Sequence, residues 1–548
     1  MTDLVFGDPA WVTFLNGENE FLEVPSDDPS LAIYQMGDLP ASEIWQSVRS
    51  GDFSHHGARF LVLVHDKDKQ RLSIFNDRYG QLPLFMVRQP DAVLFSTRVE
   101  TMLTRELVPR RLNRSAFADL LAFDTPLERR TLVDGIEGYP AGTQTTIKLA
   151  TREIKETRQW DPAAILGEPE LSFAETSDSL FDAFMEGFDR VIEGRRVGIT
   201  LSGGIDSRCF LSAAKYRGVT VSSFNHSVPD SRSAIYARSM AEMVGSPYQD
   251  FPVGLEFAKD YARRVQGVLS ITEGMSFSSE VECHWLREQI TGVDVVLHGA
   301  FAELAKLRSM HRYSVSAATS KATIESLPDV LWDRFGTELE PCLLTFPDEI
   351  RDEVRETARD NLKARLGKID PGLTTDQTLQ VMYLEEFLFK VFKSSSRIWN
   401  DQIPTRFPFA YPGFIDLLLR TKSSDRIRQK FQMMLLKRTH RPLFDYPDAN
   451  TGLKVNAPKA LNRVAHIFDR LRGIFTSSPM ALDHTNQGYW ITHMVPPPEE
   501  VLLNSDAFGL FDKSEVSRLL GVLRTPMEEQ RNRVKQARLR VAKGTASI

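Results

Sequence analysis

The stretch VGITLSGGIDSR, residues 197–208, holds the residues whose types and order could do chemistry. An apolar run delivers Ser202 to a Gly203-Gly204 turn that closes on Asp206 and Ser207. Glycines leave backbone N–H groups unshielded, and a following helix adds the positive end of its dipole. Two hydroxyls can meet phosphate oxygens, and a carboxylate can hold a divalent cation. Such a set, placed between a strand and a helix, predicts a nucleotide phosphate site more than a plain helix cap. A Walker loop would end Gly-Lys-Ser/Thr; this one has no lysine, which argues against γ-phosphate transfer.

The elements that must position this loop read differently on its two sides. Before it, short apolar or alternating runs at 58–66, 72–77, 83–88 and 92–97 predict strands. Residues 113–123 predict a helix capped by Asn113, and 131–150 return to strand-and-turn chemistry. Turn formers at 158–172 predict a linker. After it come a helix at 176–193, strand 196–202, helix 208–218, strand 219–226, helix 233–245 and strand 248–253, with a further strand at 293–299. Strands alternating with helices predict βαβ units and a parallel sheet. From about residue 320 amphipathic helices dominate, among them 352–366 and 383–393.

A chain of 548 residues predicts two or three domains. A net charge of −6 gives no reason to expect nucleic acid, and the basic stretch 528–543 reads as a solvated end. Three scattered cysteines (Cys209, Cys283, Cys342) make neither a disulfide framework nor a zinc site. No apolar run reaches the length of a membrane span, and the start carries no signal-peptide pattern, so a cytoplasmic protein without membrane partners is expected.

The SGGIDS loop resembles the PP-loop of ATP pyrophosphatases, which implies cleavage between the α and β phosphates. The resemblance extends along most of the chain to the asparagine synthetase family, which includes β-lactam synthetases and lasso-peptide cyclases. FNDRYGQLPLF (75–85), LFSTRVETML (94–103) and TLVDGIEGYPAGT (131–143) are similar to family segments of the first domain. VVLHGAFAEL (295–304) stands where the family has Ser-Gly-Glu-Gly-Ala-Asp-Glu-Leu, and RFPFAYPGFIDLLL (406–419) resembles Arg-Val-Pro-Phe-Leu-Asp and the helix after it. The implied fold is α/β and α+β. It joins a glutaminase-like β-sandwich of N-terminal-nucleophile (Ntn) type over 1–160 to a PP-loop α/β synthetase domain with helical additions over 170–540.

The resemblance also implies site residues. Ser202, Gly203, Gly204, Asp206 and Ser207 would bind ATP. Asp206 and Glu303 would hold Mg²⁺, with Ala300 then at the position of the family's base; sliding the segment by one residue puts Ala302 at the metal instead. Glu303 pairing with Lys306 or Arg308 is the structural alternative. Lys454, in the loop 446–458, matches a family lysine that stabilises charge on phosphate and oxyanion, with Lys459 its competitor. Lys390 and Lys393, beside Ser394–Ser396, could hold pyrophosphate or the substrate's carboxylate, or Lys390 could be the i,i+4 salt-bridge partner of Glu386. Family glutaminases begin Met-Cys-Gly; this chain begins Met1-Thr2-Asp3, so a glutaminase-like domain without glutaminase chemistry is expected. The implied reaction is adenylation of a small-molecule or peptide carboxylate, then amide formation with ammonia or an internal amine. The product would be asparagine or a specialised amide or ring, and a homodimer is a possible assembly. The alternative is a degenerate, non-catalytic synthetase-like scaffold.

Overall fold

The structure is a computed structural model. It describes residues 3–7, 10–15, 21–228, 231–275, 280–449, 452–454, 457, 494–497, 500, 510 and 512–523.

The first domain stacks two sheets. One has five strands in the spatial order Leu4–Phe6, Val12–Leu15, Val93–Ser96, Phe85–Arg88, Glu137–Gly138. The other has six, in the order Glu153–Arg158, Thr143–Lys148, Arg71–Asn76, Phe60–Asp66, Leu31–Gly37, Leu22–Val24. The period-2 alternation of strand side chains decides which residues lie between the sheets. Leu61 and Leu63 meet Phe14, Met86 and Phe95 in the sandwich core. Their neighbours Phe60, Val62 and Val64 face outward onto helix Ala41–Ser50 through Ile44. On the five-stranded sheet, Phe85, Val87 and Leu94 turn outward to helix Val99–Thr104. The result is a sandwich covered by a helix on each outer face, the Ntn-type fold expected.

The second domain is built on a parallel sheet, ordered Tyr248–Asp250, Ser222–Asn225, Val197–Thr200, Val295–Leu297, Thr405–Arg406. The first strand in sequence, Val197–Thr200, is central, and the chain turns back across it to place the fourth. That reversal is a topological switch point, where open α/β sheets bind ligands at the carboxyl ends of their strands. Helices Phe173–Ile192, Ile205–Arg217, Pro412–Arg420 and Lys430–Thr439 pack into one core with it. The two-residue strand Thr405–Arg406, at one sheet edge, is absent from the sequence reading. Its Arg406 is 3.0 Å from Asp38 of the first domain.

The expected linker at 158–172 is instead ordered and packed. Asp161 caps a short helix, Pro162–Leu166. Trp160 donates to Asp416, and Gln377 donates to the Leu166 carbonyl at 2.7 Å. The domains share one core: Tyr79, Phe123, Leu127 and Trp160 belong to the same buried cluster as the synthetase helices. Tyr79 donates to the Ala410 carbonyl at 2.6 Å, and the buried Arg78 is 2.7 Å from Asp416. Among the described residues no helix is long and apolar enough to cross a membrane.

Candidate nucleotide site

Two segments leave the carboxyl ends of the neighbouring strands Val197–Thr200 and Val295–Leu297, and they converge at the switch point. The first is the 201–204 turn, which enters helix Ile205–Arg217 through Gly204. Among the described residues no side chain caps this helix, which leaves its first-turn N–H groups for a ligand. A Cβ on Gly204 would meet nothing nearer than Ser202 Oγ at 3.3 Å, so the turn is open at this point. Gly203 answers a different need. A Cβ there would lie 2.3 Å from Ala449, and its N–H donates to Ser233 Oγ at 3.1 Å. Ser202 N–H donates to Ser207 Oγ at 3.1 Å, and the two hydroxyls are 3.2 Å apart.

The second segment, 298–306, brings Glu303 and Lys306 to Asp206. Lys306 Nζ forms an ion pair with Asp206 Oδ2, while Gln432 Nε2 lies 3.5 Å from Oδ1 and donates to the Ala302 carbonyl at 3.1 Å. Burial works against the charge on Lys306, but the carboxylates of Asp206 and Glu303 hold its pKa above the usual lysine value. Burial raises Glu303 to about 7, against the pull of Lys306, and Asp206 adds to the rise. Glu303 Oε2 is buried and has no hydrogen-bond partner among the described residues. The structural alternative for Glu303 therefore fails in part: Lys306 bonds to Asp206 instead. Phe301, two residues earlier, adopts the left-handed φ of 74°, a conformation that bulky residues rarely take. Its ring packs against Tyr79 and Phe392.

These donors fit a magnesium ion: an orphaned carboxylate oxygen faces a second carboxylate, and the ion's other ligands would come from phosphate and water. Lys306 competes for the same Asp206 oxygen. Among the described residues no group of three or more His, Cys, Asp or Glu forms a metal cluster.

The segment that carries Lys454 lies on the loop. Arg208, fully buried, donates to the carbonyls of Gly203, Leu443, Tyr446 and Pro447, and Ala449 N–H donates to the Gly203 carbonyl at 3.1 Å. Pro447 bridges to Lys454, whose ammonium is 3.7 Å from Asp445 with 60% of the side chain exposed. Lys459 lies outside the described residues. Lys390 is not brought to the loop. It bonds to Glu386 at 2.8 Å and to the Pro126 carbonyl, so the salt-bridge alternative is the one observed.

Arg208, Ser233, Lys306 and Gln432 escaped the sequence reading as members of the site. Arg208 and Gln432 act on backbone carbonyls remote in sequence, which leaves no local pattern. In the sequence Lys306 stands out only as a partner for Glu303.

Two family profiles match. A glutamine amidotransferase domain matches residues 53–160, and asparagine synthase matches residues 188–449, which includes the loop, Glu303 and Gln432. The two profiles together, in this order along the chain, support membership of the asparagine synthetase family. The chain is 26% identical over 200 residues to asparagine synthetase (glutamine-hydrolyzing) 2 of Bacillus subtilis (strain 168), a match covering 34% of this chain. That match spans 27% of the relative's own length. A solved structure of glutamine phosphoribosylpyrophosphate amidotransferase from B. subtilis, complexed with ADP and GMP, is also similar. It is 13% identical, covers 58% of this chain and 74% of that one, and has a TM-score of 0.15.

Proposed function

We propose that the protein is a cytoplasmic, ATP-dependent carbon–nitrogen ligase that adenylates a carboxylate, releases pyrophosphate and passes the acyl group to an amine. The observation that supports it most is the uncapped start of helix Ile205–Arg217, with Asp206 and Glu303 converging beside it from adjacent strand ends. In this reading the first-turn N–H groups and the hydroxyls of Ser202 and Ser207 take the phosphates. The backbone at Gly204 gives the approach, whereas Gly203 lets the 446–449 segment seat over the loop. A magnesium ion on Asp206 and Glu303, when bound, offsets the charge of the phosphate chain. Lys454 stands on the same overlying segment, where a cation would oppose charge gathering on the phosphates and the oxyanion. The substrate carboxylate attacks the α-phosphorus, the bond to the β-phosphate breaks, and the amine then displaces AMP. The amine is free ammonia or an amino group within the substrate. Glutamine hydrolysis is not assigned to the first domain, since the first cysteine in the chain is Cys209, buried in a synthetase helix.

Release of pyrophosphate from ATP, measured over a panel of carboxylates with and without ammonium, tests the reaction. No release with any member overturns it. The second reading, a non-catalytic scaffold, draws on Ala300 in place of the family's base and on the Lys306–Asp206 ion pair. Calorimetry with Mg·ATP separates the two. The ligase binds it and Asp206→Ala loses at least about tenfold in affinity, whereas a scaffold has no binding to lose.

A further inference from the structure

A cavity of about 1250 Å³ lies between the two domains, and neither residues 202–207 nor 299–306 line it. One wall is a stripe of Glu386, Lys390, Lys393, Ser394 and Arg397, whose three- and four-residue spacings put them on one helix face. Nearly every cation on this wall is already matched. Lys390 pairs with Glu386, Arg397 with Glu273 at 3.4 Å, and Arg365 with Glu385 at 2.5 Å. Lys393 is the exception: it makes no hydrogen bond or ion pair among the described residues. The charges that face it are Lys390 and Arg397, which repel it, and Asp77, which attracts it. The Asp77 carboxylate is itself engaged by the N–H groups of Tyr79 and Gln81. Burial, with the two neighbouring cations, lowers the Lys393 pKa to about 8. A half-buried ammonium with no bonded counter-charge is costly unless something else supplies one. Phe85, Ile136, Tyr139, Met275 and Phe389 give the lining an apolar part, set among charges already paired with each other, such as Arg129 with Glu156 and Lys368 with Glu128.

We propose that this interdomain cavity binds a small-molecule monocarboxylate with an apolar body, its carboxylate seated on the Lys393 ammonium and its body against the apolar part of the lining. One unmatched cation calls for one negative charge. A phosphate dianion would bring a second charge toward Glu386 and Glu156, whose own cations are already spent. The volume exceeds that of common small-molecule pockets, which leaves room for a long body. The site stands apart from the ligase reading, because it shares no residue with the loop.

The test is ligand-observed NMR titration of the full chain, without nucleotide, using hexanoate, hexanamide and inorganic phosphate. Hexanoate should bind about tenfold or more tighter than hexanamide. Lys393→Met should erase that difference, and Lys393→Arg should keep most of it. Lys393→Met removes an unmatched charge, so it should fold with an unchanged or higher melting temperature. If it does not fold, the wild-type titration decides alone: hexanoate affinity should fall as pH rises above about 8, while hexanamide affinity stays flat. Equal affinity for acid and amide, tighter binding of phosphate, or hexanoate binding unchanged in Lys393→Met would each overturn the proposal. With no nucleotide present, that failure leaves the ATP site untouched.

Discussion

Lys306 places a fixed positive charge where two carboxylates meet, and its removal shows what that charge does. In Lys306→Met, Asp206 and Glu303 face each other with no cation between them. Urea unfolding at neutral pH should show a loss of up to about 3–5 kcal/mol, the range for breaking a buried pair by removing one partner. Added Mg²⁺ should recover more stability in the variant than in the wild type, since it no longer competes with an ammonium. Asp77 gives a pH test at a distance from this site. Burial raises it to about 6, while the unfolded chain releases that proton near pH 4. Between those values the folded state holds the extra proton, so the unfolding free energy falls as pH rises and levels off above about 6. Asp77→Asn lacks this step. The stability difference between wild type and variant should therefore shift by about 1–3 kcal/mol between pH 4 and 6. Denaturant titrations at several pH values read it directly, and a constant difference would contradict the assignment.

The turn 298–306 and the 201–204 loop are held by packing that the sequence only half reveals. Phe301 pays for a left-handed backbone with a ring buried among Tyr79, Phe389 and Phe392. Phe301→Gly would relieve about 1 kcal/mol of strain but forfeit about 3–5 kcal/mol of aromatic burial. The net expectation is a loss of about 2–4 kcal/mol in chemical denaturation. Gly203→Ala should push the 446–449 segment off the loop, seen as faster amide exchange at 443–449. Legibility follows the range of the forces. The strands at 60–66, 71–76, 85–88 and 93–96, the Asn113 cap and the βαβ run were readable because periodicity and turn chemistry are local. The edge strand Thr405–Arg406 is two residues long and exists only through its pairing with Val296 and Leu297. The π-helical turn Tyr383–Leu388 and the docking of Pro162–Leu166 likewise depend on contacts made across the chain. In the site, the loop was legible as a consecutive motif. Lys306, Arg208 and Gln432 were not, because their partners are assembled by the fold.

For the molecule as a whole, the shared core means that the domains should not unfold independently. Calorimetry should give one main transition, and Tyr79→Ala, which removes a buried ring and its bond to Ala410, should shift it as a unit by about 3–5 kcal/mol. A split into two well-separated transitions would show that the cluster joining them contributes little. The Arg406–Asp38 contact has a consequence for how the chain must be made. Thr405–Arg406 closes one side of the parallel sheet with only two residues, and the first domain stands guard beside it. A synthetase half released on its own would leave Arg406 without Asp38, while the N–H and carbonyl of Thr405 stay bonded to Asn400 and to the Arg406 guanidinium. What the first domain adds at this edge is a charge for Arg406, so a chain cut between the halves would be left with an unmatched guanidinium beside a strand that is already sealed.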